Sequence, residues 1–483
     1  MSIITSPVLL ISIPVMLFIY PLSFYLYYKW LKNSPKEFWL ILFANVLLGF
    51  GFSTVSTIFV RFLSDDIFHT TDVTKLGIYS SVFFGLITLS GIILSPVCDI
   101  KGIKQSLKLG TILIITGLLF MSFINNVFFV TLFGFIPFIL GTAILFPVFN
   151  VAIKRFTNKE NITLGFGIFG ITAAVGSTLA SELYETLYSF SDSIFPIFGF
   201  ITVSKLAFLI SSIFVAPALV LTSFINTDIK ENERLFSSIF FRQFAGKIKK
   251  QFLKVLSSNI FWKFILIIAV LTFIRMMFFH FNYTLPKYTF RIFGDQIKAN
   301  KMMLINSMVI GLLVPFIPAF TRRIRSYKMI MIGTGISAIS IFLIFLPPQI
   351  WSEITNSQIG KFLFSEILNT SARIPEVTGF LVFLIVFSIG EAIWSPRVSQ
   401  FIVETAPKGQ ESTYLGLSAI PFFITKFLLG PVSGLLMNSY VPLDEFKMPY
   451  DHYPDRNFLW MWIGIISILT PVGLILFRKL QKN

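Results

Sequence analysis

The chain has 483 residues, 55% of them hydrophobic and 13% charged, with 59 Phe and a formal net charge of +16. A soluble domain carries about 25% charged residues, so the composition excludes an ordinary water-soluble protein. The excess of Lys and Arg does not point to nucleic acid, because these residues gather in short loops between apolar runs.

Spanning a bilayer takes about 20 apolar residues, in segments whose backbone groups bond internally because lipid offers no partners. In chain order the candidate spans are 7–28, 38–61, 77–97, 106–123, 128–152, 163–187, 198–224, 261–282, 302–320, 329–347, 378–400, 412–437 and 458–477. The first follows Met1-Ser2-Ile3 without a basic flank or a small-residue cleavage site, so it reads as a retained helix. The other twelve begin after Lys36.

Basic clusters at Lys29/Lys32/Lys36, Lys101/Lys104/Lys108, Lys154/Arg155/Lys159, Arg322/Arg323/Arg325/Lys328 and Arg478/Lys479/Lys482 fall on alternate loops. They set the cytoplasmic side. The connections around Asn125, Ser191 and Trp351, poor in Lys and Arg, then lie outside. One outer connection, with Lys287, Arg291, Lys298 and Lys301, runs against the rule. The chain is expected to start outside and to place both ends of the twelve-helix core inside, in a plasma (inner) membrane.

The long polar stretch 225–260 divides the twelve helices six and six. Arg242, Lys247, Lys249, Lys250 and Lys254 alternate there with Phe240, Phe241, Phe244, Ile248, Phe252 and Leu253, the pattern of a basic amphipathic helix. Such a helix links two bundles and suits an anionic inner leaflet. The expected division is an extra N-terminal helix (1–35), a six-helix bundle (36–224), the linker (225–260) and a second six-helix bundle (261–483).

Asp99-Ile100-Lys101-Gly102-Ile103-Lys104 closes the second core helix, and Pro318-Ala319-Phe320-Thr321-Arg322-Arg323 closes its counterpart in the second half. The first resembles the loop between helices two and three of the major facilitator superfamily, matching it at Asp99, Gly102 and Lys104. The resemblance implies an all-α membrane protein with the major-facilitator fold, two six-helix bundles, here with one additional N-terminal transmembrane helix. It also implies that Asp99, Gly102 and Lys104 lock the cytoplasmic side. Gly141-Thr142 through Asn150, Ile305-Asn306, Gly390-Glu391 with Ser395-Pro396, and Tyr414-Leu415-Gly416-Leu417 are similar to the proton-dependent oligopeptide transporter branch. That branch's ExxER motif is missing, since the matching place, Asn45 to Gly49, has no acid and no Arg. Its helix-ten Glu, which holds a peptide amino terminus in that branch, is matched by Glu391.

A charge at the centre of a span costs about 2.5–3.5 kcal/mol, so it faces a cavity or a partner. Arg275, Glu391 and Lys426 are deep by position, and Trp394 is one turn beyond Glu391. They are the candidate substrate-binding residues, with internal Glu391–Arg275 or Glu391–Lys426 salt bridges as the alternative. Lys205 reads as snorkelling, Arg61 as an interface anchor, and His280 as standing on another face of its helix from Arg275. No Ser/His/Asp grouping, phosphate loop or acid pair beside a His marks an enzyme. Single Cys98 and three scattered His leave no metal site, and no cofactor is expected.

These readings describe a secondary active transporter moving a small polar or anionic organic solute, peptides included, by alternating access. Its partners are that small molecule, a coupling proton or other ion, and the bilayer, with anionic lipid at the linker. The alternatives are a lipid or amphiphile transporter of the same fold and a non-transporting membrane receptor.

Overall fold

A computed structural model of the chain describes residues 18, 20–70, 73–158, 160–189, 202–226, 238–442 and 453–478. In chain order the principal helices are α1 (Tyr20–Leu31), α2 (Lys36–Phe62), α3 (Val73–Leu94), α4 (Pro96–Lys101), α5 (Ile103–Phe123), α6 (Ile136–Phe156), α7 (Ile162–Ser189), α8 (Val203–Ser223) and α9 (Ser238–Leu256). There follow α10 (Asn259–Tyr283), α11 (Leu285–Phe293), α12 (Ala299–Leu313), α13 (Ser326–Ser340), α14 (Pro348–Asn356), α15 (Pro375–Thr405), α16 (Glu411–Leu417), α17 (Ala419–Tyr440) and α18 (Arg456–Phe477).

Among the described residues eleven helices are long and apolar enough to cross a membrane, and a shorter one covers Lys301–Leu313. They coincide with the twelve apolar runs expected after Lys36. The shortened helix has a local cause. Pro315 and Pro318 flank the break after Leu313, and a new short helix starts at Ile317, as expected where proline removes an N–H and crowds the preceding turn. The expected span 7–28 lies largely outside the described residues, and only its end falls in α1. The start of the expected 198–224 span, residues 198–201, lies outside the described residues; within them α8 begins at Val203, where Thr202 caps it, its hydroxyl accepting the Lys205 N–H at 3.3 Å.

The chain divides into two compact units. One holds Trp30–Phe261 with Ser399–Ile420; the other holds Trp262–Val398 and Pro421–Asn483, with Met1–Lys29.

In the first unit α2 packs on α7 and α8, and α5 on α6 and α8. Its aromatic core centres on Phe59, stacked on Phe83 at 4.0 Å and edge-on to Phe135 at 5.3 Å. Close backbone approach makes one glycine obligatory: a Cβ on Gly176 would meet the Phe50 nitrogen at 2.9 Å. Asn45 crosses the same seam, its Nδ2 donating to the Phe169 carbonyl at 3.0 Å and Thr172 Oγ1 at 2.8 Å.

In the second unit α13 packs on α18. Phe281 of α10 meets Phe387 of α15 at 4.8 Å, and Trp460 of α18 joins Tyr288 and Phe380 at 5.3 and 5.5 Å. Gly390 of α15 lies against the backbone of Gly333 in α13. That approach fixes the height of the residue after it, Glu391.

Candidate functional site: charges within the second unit

On α15 Glu391 is flanked at three-residue spacing by Ser388 on one side and Trp394 on the other. Glu391 is buried, and its Oε2 accepts from Asn306 Nδ2 of α12 at 3.1 Å. The same amide nitrogen donates to Ser388 Oγ at 2.9 Å, and Ser388 donates on to the Leu384 carbonyl at 2.6 Å. The carboxylate is therefore held by a neutral amide.

The two cations are treated differently. The Arg275 guanidinium carbon of α10 lies 5.6 Å from the Trp394 ring and 5.3 Å from the Phe422 ring of α17. Lys426 Nζ of α17 lies 5.5 Å from the Phe279 ring of α10, and its side chain is exposed. Neither cation makes a hydrogen bond or ion pair with a described residue. Glu391 is within electrostatic range of Arg275, but no salt bridge closes between them or between Glu391 and Lys426. Cation–π contact contributes about 0.5–2 kcal/mol, less than the cost of about 2.5–3.5 kcal/mol for a charge at a helix centre. The single ring beside Lys426 does not offset that cost, and the two beside Arg275 come close to it without supplying a hydrogen-bond acceptor. Arg275, Glu391, Trp394 and Phe422 thus form one neighbourhood, to which Phe279 and Lys426 are joined along α10 and α17. None of them lines the cleft of about 480 Å³ formed by Ile292, Phe293, Gln296, Pro348, Ile374, Pro375 and Glu376.

Asp99, Gly102 and Lys104 lie in the first unit, where α4 meets α5. Asp99 Oδ1 accepts the Ser412 N–H at 3.0 Å, and Oδ2 accepts the Thr413 N–H at 2.8 Å and its hydroxyl at 2.6 Å. A carboxylate at the first turn of a helix satisfies N–H groups that have no partner in the helix itself. Gly102 has φ 84° and ψ 170°, a left-handed conformation that frees the chain to turn from α4 into α5. Lys104 makes no hydrogen bond or ion pair with a described residue.

Three arrangements escaped the sequence reading. Lys154 at the end of α6 bonds the Val403 carbonyl and pairs with Glu411 at 3.0 Å, beside Gln400 and Thr163, whose side chains bond at 3.0 Å. Lys205 does not snorkel: it pairs with Asp66 at 3.6 Å and donates to Asn125, with both charges buried. Arg397 is buried and donates to the Thr321 carbonyl and hydroxyl at 2.9 and 2.6 Å. The only signal for each was a charge within or beside an apolar run; the partners, 76 to 257 positions away, leave no mark on periodicity. His280 is buried, and Arg61 lies exposed against Asp65, Tyr184 and Tyr188.

No curated protein matches the chain in sequence. Among solved structures it is similar to a POT family transporter in complex with a thioalcohol-conjugated peptide (TM-score 0.58, 16% identity, 92% of this chain and 96% of that one). It is also similar to a bacterial homologue of the iron transporter ferroportin in the outward-facing state (0.55, 14%, 92% and 99%). A third is the proton:xylose symporter XylE bound to 6-bromo-6-deoxy-D-glucose (0.56, 13%, 90% and 94%). Identities this low establish the fold and nothing finer. The family model described as Major Facilitator Superfamily matches residues 41–420. Taken with the membrane-crossing helices, this match establishes that the chain belongs to the major facilitator superfamily and is an integral, multi-pass secondary active transporter.

Proposed function

We propose that the protein moves a small organic anion, or a polar solute with an anionic group, by alternating access, with Arg275 and Lys426 receiving the negative charge. The reading is carried by one observation: among the described residues neither cation has a contacting counter-ion, while the nearby carboxylate, Glu391, is held by Asn306. Two cations against one carboxylate leave a net charge of one that a bound anion would neutralise. Trp394 walls the site beside Arg275, and Glu391 acts as the switchable partner, competing with cargo for Arg275 and taking part in coupling to a proton or another ion. The similar structures named for peptide and sugar cargo are consistent with a small-molecule substrate. Transport, with no chemical conversion of the cargo, is the whole activity.

Asp99, Gly102 and Lys104 act as the cytoplasmic lock: the three bonds from Asp99 to Ser412 and Thr413 have to open for the site to face inward. The division into bundles 36–224 and 261–483, joined by 225–260 and preceded by a helix in 1–35, belongs to the same proposal. Exposed Lys247, Lys249, Lys250 and Lys254 on α9 support docking of the linker on anionic lipid.

The test is uptake into proteoliposomes, using dipeptides and small carboxylates first screened by thermal shift. Arg275→Ala and Lys426→Ala are expected to abolish uptake while still inserting and folding. Equal uptake by wild type and both variants rejects the assignment.

A further inference from the structure

Helices α10 and α17 meet along a seam of nearly constant register. Arg275 faces Phe422, Lys426 faces Phe279, and Thr284 meets Ser433, pairs 147, 147 and 149 positions apart. A steady offset means that the two helices run parallel and side by side in this unit. On α17 the residues Phe422, Lys426 and Ser433 lie within roughly 40° of one face at 100° per residue. The two cations therefore sit in the seam, and the Thr284–Ser433 hydrogen bond of 2.8 Å closes its far end.

That closure needs a third residue. Pro431 stands inside α17 between Lys426 and Ser433. Proline removes a helical hydrogen bond and lets the helix bend, so the segment beyond it is free to swing unless something fixes it. Thr284 joins the end of α10 to α11, its N–H donating to the His280 carbonyl at 2.8 Å, and its hydroxyl bonds Ser433. His280 Nδ1 holds that hydroxyl at 2.7 Å. The imidazole is 1% exposed, and its buried Nε2 has no hydrogen-bond partner among the described residues.

We propose that His280 is a positioning residue for the anion site. Through Thr284 and Ser433 it ties the far half of α17 to the end of α10, and so limits the separation of the two helices that carry Lys426 and Arg275. The seam is the bond chain; the function of the spacing rests on the reading above, that these two cations receive one anion.

Two measurements separate the two layers. In a Cys98→Ser background, spin labels at exposed Leu266 of α10 and Leu428 of α17 report the helix spacing whatever the cargo. Uptake of the best anion from the screen reports the site. His280→Leu and Ser433→Ala are expected to broaden the distance distribution and to raise the half-saturating concentration about tenfold, with maximal rate within about twofold of wild type. His280→Asn, whose amide replaces Nδ1, restores both, and the double variant His280→Leu/Ser433→Ala is no worse than either single one. A narrow distribution in His280→Leu overturns the tie. Broadening with unchanged half-saturation overturns the positioning role. Failure of the anion reading shows separately, as an Arg275→Ala variant that transports normally while the distances still respond to His280.

Discussion

Lys205 Nζ lies 3.6 Å from Asp66 Oδ1, and both side chains are almost wholly buried at one end of the first unit. The pair joins the end of α2 to the start of α8, and Lys205 also donates to Asn125 after α5, so one lysine fastens three helix ends. Breaking a buried pair by removing one partner costs about 3–5 kcal/mol, because the survivor is left uncompensated. Lys205→Met is therefore expected to lower the thermal midpoint of detergent-purified protein sharply. Lys205→Met/Asp66→Leu should recover much of the loss. A double variant as unstable as the sum of the singles would show that the charges do not act as a pair.

How much of this was legible in the sequence follows from what periodicity encodes. Run length and hydropathy answer to the bilayer alone, so the twelve apolar runs after Lys36 could be read directly. Asp99 and Gly102 stood out only through the resemblance of their loop: the turn at Gly102 is local, but the N–H groups that Asp99 holds lie 313 and 314 positions away and leave no mark on the run around it. Arg275, Glu391 and Lys426 were legible as charges in apolar runs, but not the Asn306 amide that holds Glu391, since a neutral residue carries no penalty that marks it out. Lys205, read as two turns into its span, stands in the first turn of α8, and its partners Asp66 and Asn125 lie 139 and 80 positions away, beyond what a helical pattern can mark.

The Asp99 bonds have a built-in reporter. Cys98, the single cysteine, is 4% exposed and adjoins the carboxylate that accepts from Ser412 and Thr413. Asp99→Ala removes three hydrogen bonds to one charged group, each worth about 1.5–3 kcal/mol, and should open that packing. Labelling of Cys98 by a maleimide in inside-out vesicles is expected to accelerate at least about tenfold, since 1.4 kcal/mol is a factor of ten. An unchanged rate would mean that Asp99 does not hold α16 against α4.

Glu391→Gln distinguishes a switch from a cargo clamp. If the carboxylate competes with the anion for Arg275, removing its charge tightens cargo binding and slows release. The half-saturating concentration should then fall, and maximal uptake should fall with it. A carboxylate that clamped a cationic group of the cargo would give the opposite first result, a raised half-saturation. Uptake measured over a concentration series in proteoliposomes decides between them.

Gly390→Ala tests whether the height of Glu391 is set by backbone contact. A Cβ at this position would meet the Gly333 carbonyl oxygen at 2.6 Å and the Ser337 nitrogen at 2.7 Å, both backbone atoms of α13 that cannot turn aside. Either α15 and α13 separate or α15 rotates, and each choice moves Glu391 away from Asn306, 3.1 Å distant at present. Overpacking of this kind costs about 1–3 kcal/mol, enough to lower the thermal midpoint without preventing folding. Uptake should therefore fall further than the loss of folded protein explains. Gly335→Ala on the same α13 is the control, because a Cβ there meets nothing within 4 Å. Equal behaviour of the two variants would show that the Gly333–Gly390 approach is ordinary packing and that Glu391 is positioned by other means.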